Sequence, residues 1–206
     1  MSEPREPPRL GFLISGGGRT LVNMAAFLVE RPDLGRIVWV ISDRPDAGGL
    51  ERAQALGLPT ETLPCQRPPD SDRLFDRFDE QNVEFVLLGG FLRRLRIPER
   101  WRDRVLNIHP SLIPKYSGHG FYGDRVHAAV IAAGETESGC TVHLVDDEYD
   151  HGRVLVQERV PVRADDTVAT LAQRVFEAEC RAYPRALEQL LGEARAAEGP
   201  STLGDS

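Results

Sequence analysis

Short apolar runs recur along the chain, each closed by glycine or proline and followed by a segment whose apolar positions fall at helical spacing. Ordered structure is expected to begin near Arg9, where Leu10, Phe12, Leu13 and Ile14 predict a buried strand that stops at Ser15-Gly16-Gly17-Gly18. Thr20 is placed to cap the helix that follows, in which Leu21, Met24, Ala25 and Leu28 share one stripe. The same alternation then predicts strand Ile37 to Ser42, helix Ala47 to Gly57, strand Thr60 to Leu63 and helix Asp70 to Asn82. Phe85-Val86-Leu87-Leu88 and Val105 to His109 are continuous enough for strands buried on both faces. Helix Asp124 to Ala133 precedes two strands, Thr141 to Val145 and Arg153 to Val162, whose short connecting turn predicts an antiparallel pair. Thr167 to Leu191 reads as a long amphipathic helix.

Strands alternating with helices predict an α/β fold with a mostly parallel central sheet, an antiparallel C-terminal strand pair and a long C-terminal helix. At 206 residues the chain suits one domain, expected over residues 9–191, with disordered ends at 1–8 and 192–206. Its 41% hydrophobic content supplies a core, and the net charge of -7 is the wrong sign for a partner of nucleic acid. Lys115 is the only lysine, so a phosphate loop ending in Gly-Lys is excluded. No apolar run approaches the length that spans a bilayer, and the polar N-terminus predicts no signal peptide. Cys65, Cys140 and Cys180 are too few and too scattered for a disulfide framework or zinc site, which fits the reducing cytoplasm. Monomer and homodimer both remain open.

In open α/β sheets ligands bind at the carboxyl ends of the strands, and three motifs fall there. The first is Gly16 to Thr20, where residues without side chains let backbone N–H groups approach a phosphate at a helix N-terminus. The dinucleotide fingerprint is not met, because its third glycine position is Leu21. The second is Leu92 to Leu95, after the central strand. The third is Asn107-Ile108-His109-Pro110, where two polar side chains of equal parity project from one side of an apolar strand. An amide donor beside an imidazole suits acyl transfer, since one stabilises an oxyanion and the other moves a proton. One carboxylate of the acidic turn, among Asp146, Asp147, Glu148 and Asp150, is placed to orient His109 and raise its pKa. The other histidines, His119, His127, His143 and His151, lack metal-ligand spacing and read as surface residues.

Taken in order, Asn107 to Lys115, Ser138-Gly139-Cys140-Thr141-Val142-His143 and Asp150-x-Gly152 resemble the folate-dependent glycinamide ribonucleotide formyltransferases, over Leu10 to Leu191. The resemblance implies a Rossmann-like three-layer fold, with 10-formyltetrahydrofolate as co-substrate, no metal, and small-molecule partners only. It implies catalytic roles for Asn107, His109 and Asp150, choosing Asp150 from the four acids. Gly18, Arg19 and Thr20 match the loop that holds the ribonucleotide phosphate, and Glu179 matches the acid that binds the ribose hydroxyls. Leu92, Arg93, Arg94 and Leu95, with Asn107, match the folate-binding residues, Arg93 meeting the folate's glutamate carboxylate. The chain departs from the family where Arg19-Thr20 replaces Ser-Asn, and where Ser117 to Gly123 forms a longer, glycine-rich loop. Within the same superfamily, a tRNA formyltransferase should add a basic C-terminal domain and a formyltetrahydrofolate deformylase an N-terminal one. The motifs also leave room for a sugar-nucleotide formyltransferase and, from a different class, for a non-catalytic nucleotide-binding module.

Overall fold

The computed structural model describes residues 6–197. Seven strands form one sheet: β1 (Arg9–Ile14), β2 (Arg36–Ser42), β3 (Thr60–Thr62), β4 (Phe85–Leu88), β5 (Val105–His109), β6 (Glu137–Leu144) and β7 (Val154–Pro161). Five α-helices accompany them: α1 (Arg19–Glu30), α2 (Gly48–Ala55), α3 (Ser71–Glu80), α4 (Asp124–Ala132) and α5 (Val168–Ala197). The strand order is β3-β2-β1-β4-β5-β6-β7, parallel through β5 and antiparallel from β5 to β7. The reversal of strand order beside β1 and β4 opens the crevice in which α/β sheets bind ligands.

Alternation along the strands divides the core between the two faces of the sheet. Leu10, Phe12 and Ile14 of β1 pack with Leu21, Met24 and Leu28 of α1 and with the stripe Leu171, Val175, Ala178, Ala182 of α5. Leu13, Val86 and Leu88 face Leu74, Phe75 and Phe78 of α3 together with Trp101. Tyr183 is buried inside the first cluster, and its hydroxyl shares its one hydrogen between the carbonyls of Leu88 and Leu106, tying α5 to β4 and β5. A helix held this way keeps the carboxyl ends of the central strands in fixed relation.

Four local expectations change. The cap of α1 is Gly18 in the left-handed conformation (φ 71°), not Thr20, and no side chain caps the helix. A Cβ at Gly18 would also lie 2.7 Å from the Cα of Gly49, so the loop packs backbone against backbone there. Strand β6 begins at Glu137 rather than Thr141, because Ser138, Gly139 and Cys140 pair with Val160, Arg159 and Glu158 of β7. Helix α5 runs through Gly192 to Ala197 instead of ending at Leu191: Leu190 and Leu191 are buried, Ala194 packs on the core, and Arg153 pairs with Glu193. That anchoring outweighs the roughly 1 kcal/mol cost of a helical glycine. At the other end, Pro8 is buried and its carbonyl accepts from the Arg36 N–H, so order begins before Arg9. The expected disorder of residues 1–5 and 198–206 lies outside the described residues.

Gly152 explains the spacing of Asp150-x-Gly152. A Cβ there would stand 2.0 Å from the carbonyl oxygen of Leu144, a backbone atom with no room to retreat. Gly152→Ala is expected to cost about 1–3 kcal/mol, as overpacking does. Thermal unfolding should register this as a fall in Tm of at least ~2 °C.

Candidate active site

The glycine loop leads from β1 into α1 with Gly18 as its cap residue. Because no side chain caps α1, its first N–H groups are left open at the carboxyl end of β1. A helix N-terminus in that state favours an anion. Arg19 lies across this mouth, with its guanidinium 3.7 Å from the Phe176 ring centroid and donating to Gln173 Oε1 at 2.9 Å. Glu179, one turn further along α5, is close enough for the Arg19 charge to act on it. Burial raises its carboxyl and Arg19 pulls it partly back, leaving it at about 7. The structure therefore brings Gly18, Arg19, Thr20 and Glu179 to one side of the crevice.

Asn107 and His109 end β5 and turn to the same carboxylate, as their parity requires. The imidazole Nδ1 of His109 lies 3.4 Å from Asp150 Oδ2, and the Asn107 amide nitrogen lies 3.5 Å from Asp150 Oδ1. Asp150 reaches between them from the turn after β6 by adopting a left-handed backbone (φ 53°). Its Oδ2 also accepts from the Gly118 N–H at 2.9 Å. The second nitrogen of His109, Nε2, donates to the Tyr116 carbonyl at 2.8 Å, since a carbonyl can only accept. His109 is 5% exposed, yet it lines a cavity of about 300 Å³ together with Asn107, Leu92, Tyr149 and residues 118–123.

The electrostatics correct one expectation. Burial lowers the His109 pKa, and the opposing pull of Asp150 and the Tyr116 hydrogen bond does not restore it to the ordinary value. Asp150 favours the imidazolium, but the net direction is down, so the ligand-free site holds mainly a neutral imidazole at pH 7. For Asp150, burial acts upward, and the neighbouring His143 and His109 with the Gly118 N–H bring the carboxyl below its usual range.

His143 is not a surface residue, nor is His127. His143 is 1% exposed, with Nδ1 2.7 Å from the Leu144 carbonyl and Nε2 3.1 Å from the Asn107 amide nitrogen. Pairing of β5 with β6 sets Asn107 directly opposite His143. His127 is buried on α4, and its Nδ1 has no hydrogen-bond partner among the described residues. His119 and His151 are exposed, as expected, although His119 lines the cavity.

The segment after β4 divides. Leu92 is 41% exposed and lines the cavity. Leu95 instead enters the second core cluster, and Arg94 donates to the Asp147 carbonyl. Arg93 turns its Nε to Asp43 Oδ2 at 2.6 Å, at the carboxyl end of β2. Phe91, Phe121, Tyr122 and Tyr149 add aromatic surface to the cavity wall that the motifs did not single out. Among the described residues no cluster of His, Cys, Asp and Glu is arranged to hold a metal ion, and no helix is long and apolar enough to cross a membrane.

Comparison with known proteins gives a consistent answer. Residues 8–187 match the formyl transferase family. The chain is 37% identical to the chloroplastic phosphoribosylglycinamide formyltransferase of Arabidopsis thaliana over 88% of its own length and 64% of that protein's. It is 39% identical to the trifunctional purine biosynthetic protein adenosine-3 of Gallus gallus, over 87% of its own length and 18% of that protein's. The chain thus spans less than two thirds of these curated relatives. Glycinamide ribonucleotide transformylase 1 from Symbiobacterium toebii superposes with a TM-score of 0.81 at 34% identity, covering 90% of this chain and 91% of that one. A family match across nearly the whole described domain, carried by the same fold, places this chain in the formyl transferase family.

Proposed function

We propose that the protein transfers the formyl group of 10-formyltetrahydrofolate to the amine of 5-phosphoribosylglycinamide, giving formylglycinamide ribonucleotide and tetrahydrofolate, as a step of de novo purine synthesis. The observation that carries this reading is the convergence of Asn107 and His109 on Asp150 at the wall of one cavity, beside an uncapped helix N-terminus. Phosphoribosylglycinamide formyltransferase names among the relatives and structural neighbours support the choice of acceptor. The partly apolar cavity, walled by Leu92, Phe91 and Tyr149, suits a flat heterocycle, and Arg93, braced by Asp43, suits a carboxylate near it.

In this reading the ribonucleotide phosphate sits on the N–H groups of Gly18, Arg19 and Thr20, and Glu179 accepts from the ribose hydroxyls. The substrate amine attacks the formyl carbon, and the carbonyl oxygen becomes an oxyanion. Asn107 donates the amide hydrogen that its long contact with Asp150 leaves weakly held. His109 offers its Nε2–H, which the substrate oxygen takes over from the Tyr116 carbonyl. As negative charge develops, the ring takes up a proton from solvent at Nδ1, Asp150 favours that imidazolium form, and the proton returns to solvent when the intermediate collapses. Collapse of the intermediate breaks the bond from the formyl carbon to the folate nitrogen, and the proton lost by the amine goes to that nitrogen. No covalent enzyme intermediate is required. Three free cysteines and these substrates suit the cytoplasm.

Purified protein given 10-formyltetrahydrofolate with and without the ribonucleotide tests the reading. Tetrahydrofolate and formylated ribonucleotide should appear together and only when both substrates are present. Formate release without acceptor would instead indicate hydrolysis of the folate, and no reaction would reject the assignment.

Glu179 offers a second check with two readouts. Loss of its hydrogen bonds in Glu179→Gln should raise KM for the ribonucleotide about 10-fold, as a charged hydrogen bond implies. The folded carboxyl is raised to about 7, so its contribution to stability is complete below the ordinary glutamate value and is lost as pH rises through 7. The Tm of Glu179→Gln relative to the parent should therefore rise between pH 6 and pH 8, as differential scanning calorimetry would show.

A further inference from the structure

We infer that His143 is a positioning residue that locks the Asn107 amide in the orientation in which its nitrogen, rather than its oxygen, faces the reaction site. The orientation rests on the hydrogen-bond partners that His143 and Asp150 offer the amide; its kinetic consequence rests on the formyl-transfer reading. The Leu144 carbonyl can only accept, so the His143 Nδ1 at 2.7 Å carries a hydrogen. With Nδ1–H fixed, the neutral ring presents a lone pair at Nε2, and the group 3.1 Å away is the Asn107 amide nitrogen, which can only donate. Asp150 Oδ1, 3.5 Å from the same nitrogen, reinforces the choice. An amide turned over would set its oxygen against both a carboxylate oxygen and a nitrogen lone pair.

The backbone makes this arrangement possible from three directions. The β5–β6 register places Asn107 opposite His143, and an irregularity in the β6–β7 pairing falls between Val142 and His143. The Leu144 carbonyl occupies its position only because Gly152 has no side chain, since a Cβ there would lie 2.0 Å from that oxygen. His143 does not itself line the cavity, whereas Asn107 does. His143 therefore acts on turnover through the cavity-lining groups it touches, chiefly Asn107 at 3.1 Å and more distantly Asp150 Oδ1 at 3.6 Å.

Two substitutions separate the ring's two bonds. His143→Asn keeps a donor for the Leu144 carbonyl and removes the acceptor for Asn107, whereas His143→Gln places an oxygen near the former Nε2. His143→Asn should lower kcat about 10- to 100-fold, as misplacement of a reacting group does, with KM for both substrates changed less than about threefold. His143→Gln should recover part of that loss. In an Asn107→Ala background, His143→Asn should cost much less than it does in the parent, leaving only what passes through the longer contact with Asp150. A full additional loss in that background, or an unchanged kcat in the single variant of an active parent, would overturn the inference. Nitrogen-15 NMR of the ligand-free protein reads the same bond without any turnover. It should show His143 as the neutral Nδ1–H tautomer and one Asn107 side-chain amide proton shifted downfield. A doubly protonated ring or the Nε2–H tautomer would reject the lock. Absence of formyl transfer in the parent, with the NMR signature intact, would reject the proposed reaction and leave the lock standing.

Discussion

His109→Gln is expected to lower kcat by about 100- to 10,000-fold, the range typical of losing a positioned acid–base group. The glutamine retains a polar side chain of similar reach, so the Tyr116 carbonyl can keep a donor and the cavity wall stays closed. What disappears is the ability to accept a proton while remaining bonded to the reacting oxygen. The ribonucleotide is held elsewhere in this reading, by the loop from Gly18 to Thr20 and by Glu179, so its KM should change little. Stability provides a control. The folded imidazole has a lowered pKa, so its contribution is present above the ordinary histidine value and is lost as pH falls through the folded one. The variant should therefore lose less stability than the parent between about pH 6.5 and pH 5. Steady-state kinetics with both substrates check the first claim, and turnover within about tenfold of the parent would remove His109 from the chemistry.

How much of this was legible beforehand depends on whether a signal is local. The central strands announced themselves because Phe85 to Leu88 and Val105 to His109 are buried on both faces, and continuous apolar runs are what that environment selects. Asn107 and His109 were legible as a pair because side-chain parity along one strand is a local property. Asp150 was not separable from Asp146, Asp147 and Glu148 by residue type. Its role depends on a left-handed backbone at one position of a turn, and only the resemblance to a known family selected it. His143 reads wrongly as a surface residue for a non-local reason: its neighbour is fixed by antiparallel pairing with a strand more than thirty residues away. Leu95 sits in the core because the loop after β4 folds back over Trp101 and Ile97, which no periodicity within Leu92 to Leu95 encodes. Gly192 read as a helix stop, but the contacts that carry α5 past it involve Arg153 from the distant strand β7 region.

Asp150→Asn is expected to do as much damage as loss of His109, about 100- to 10,000-fold in kcat, and for more than one reason. Asparagine tolerates the left-handed backbone that Asp150 adopts, so the turn should survive. The Gly118 N–H at 2.9 Å requires an acceptor at the Oδ2 position, which directs the new amide oxygen there and the new NH₂ group to the Oδ1 position. That group then faces the Asn107 amide nitrogen at 3.5 Å, donor against donor, and competes with it for the lone pair of His143 Nε2 at 3.6 Å. At the same time His109 loses the negative charge of Asp150, which opposes the effect of its burial, so the imidazolium becomes harder to form as the oxyanion develops. One substitution thus disturbs both groups that hold the oxyanion, while the phosphate loop and Glu179 are untouched. The expected signature is a large fall in kcat with KM for the ribonucleotide within about threefold of the parent. A rise in that KM with kcat preserved would mean instead that Asp150 only shapes the loop at Gly118, and that the oxyanion is held by groups other than Asn107 and His109.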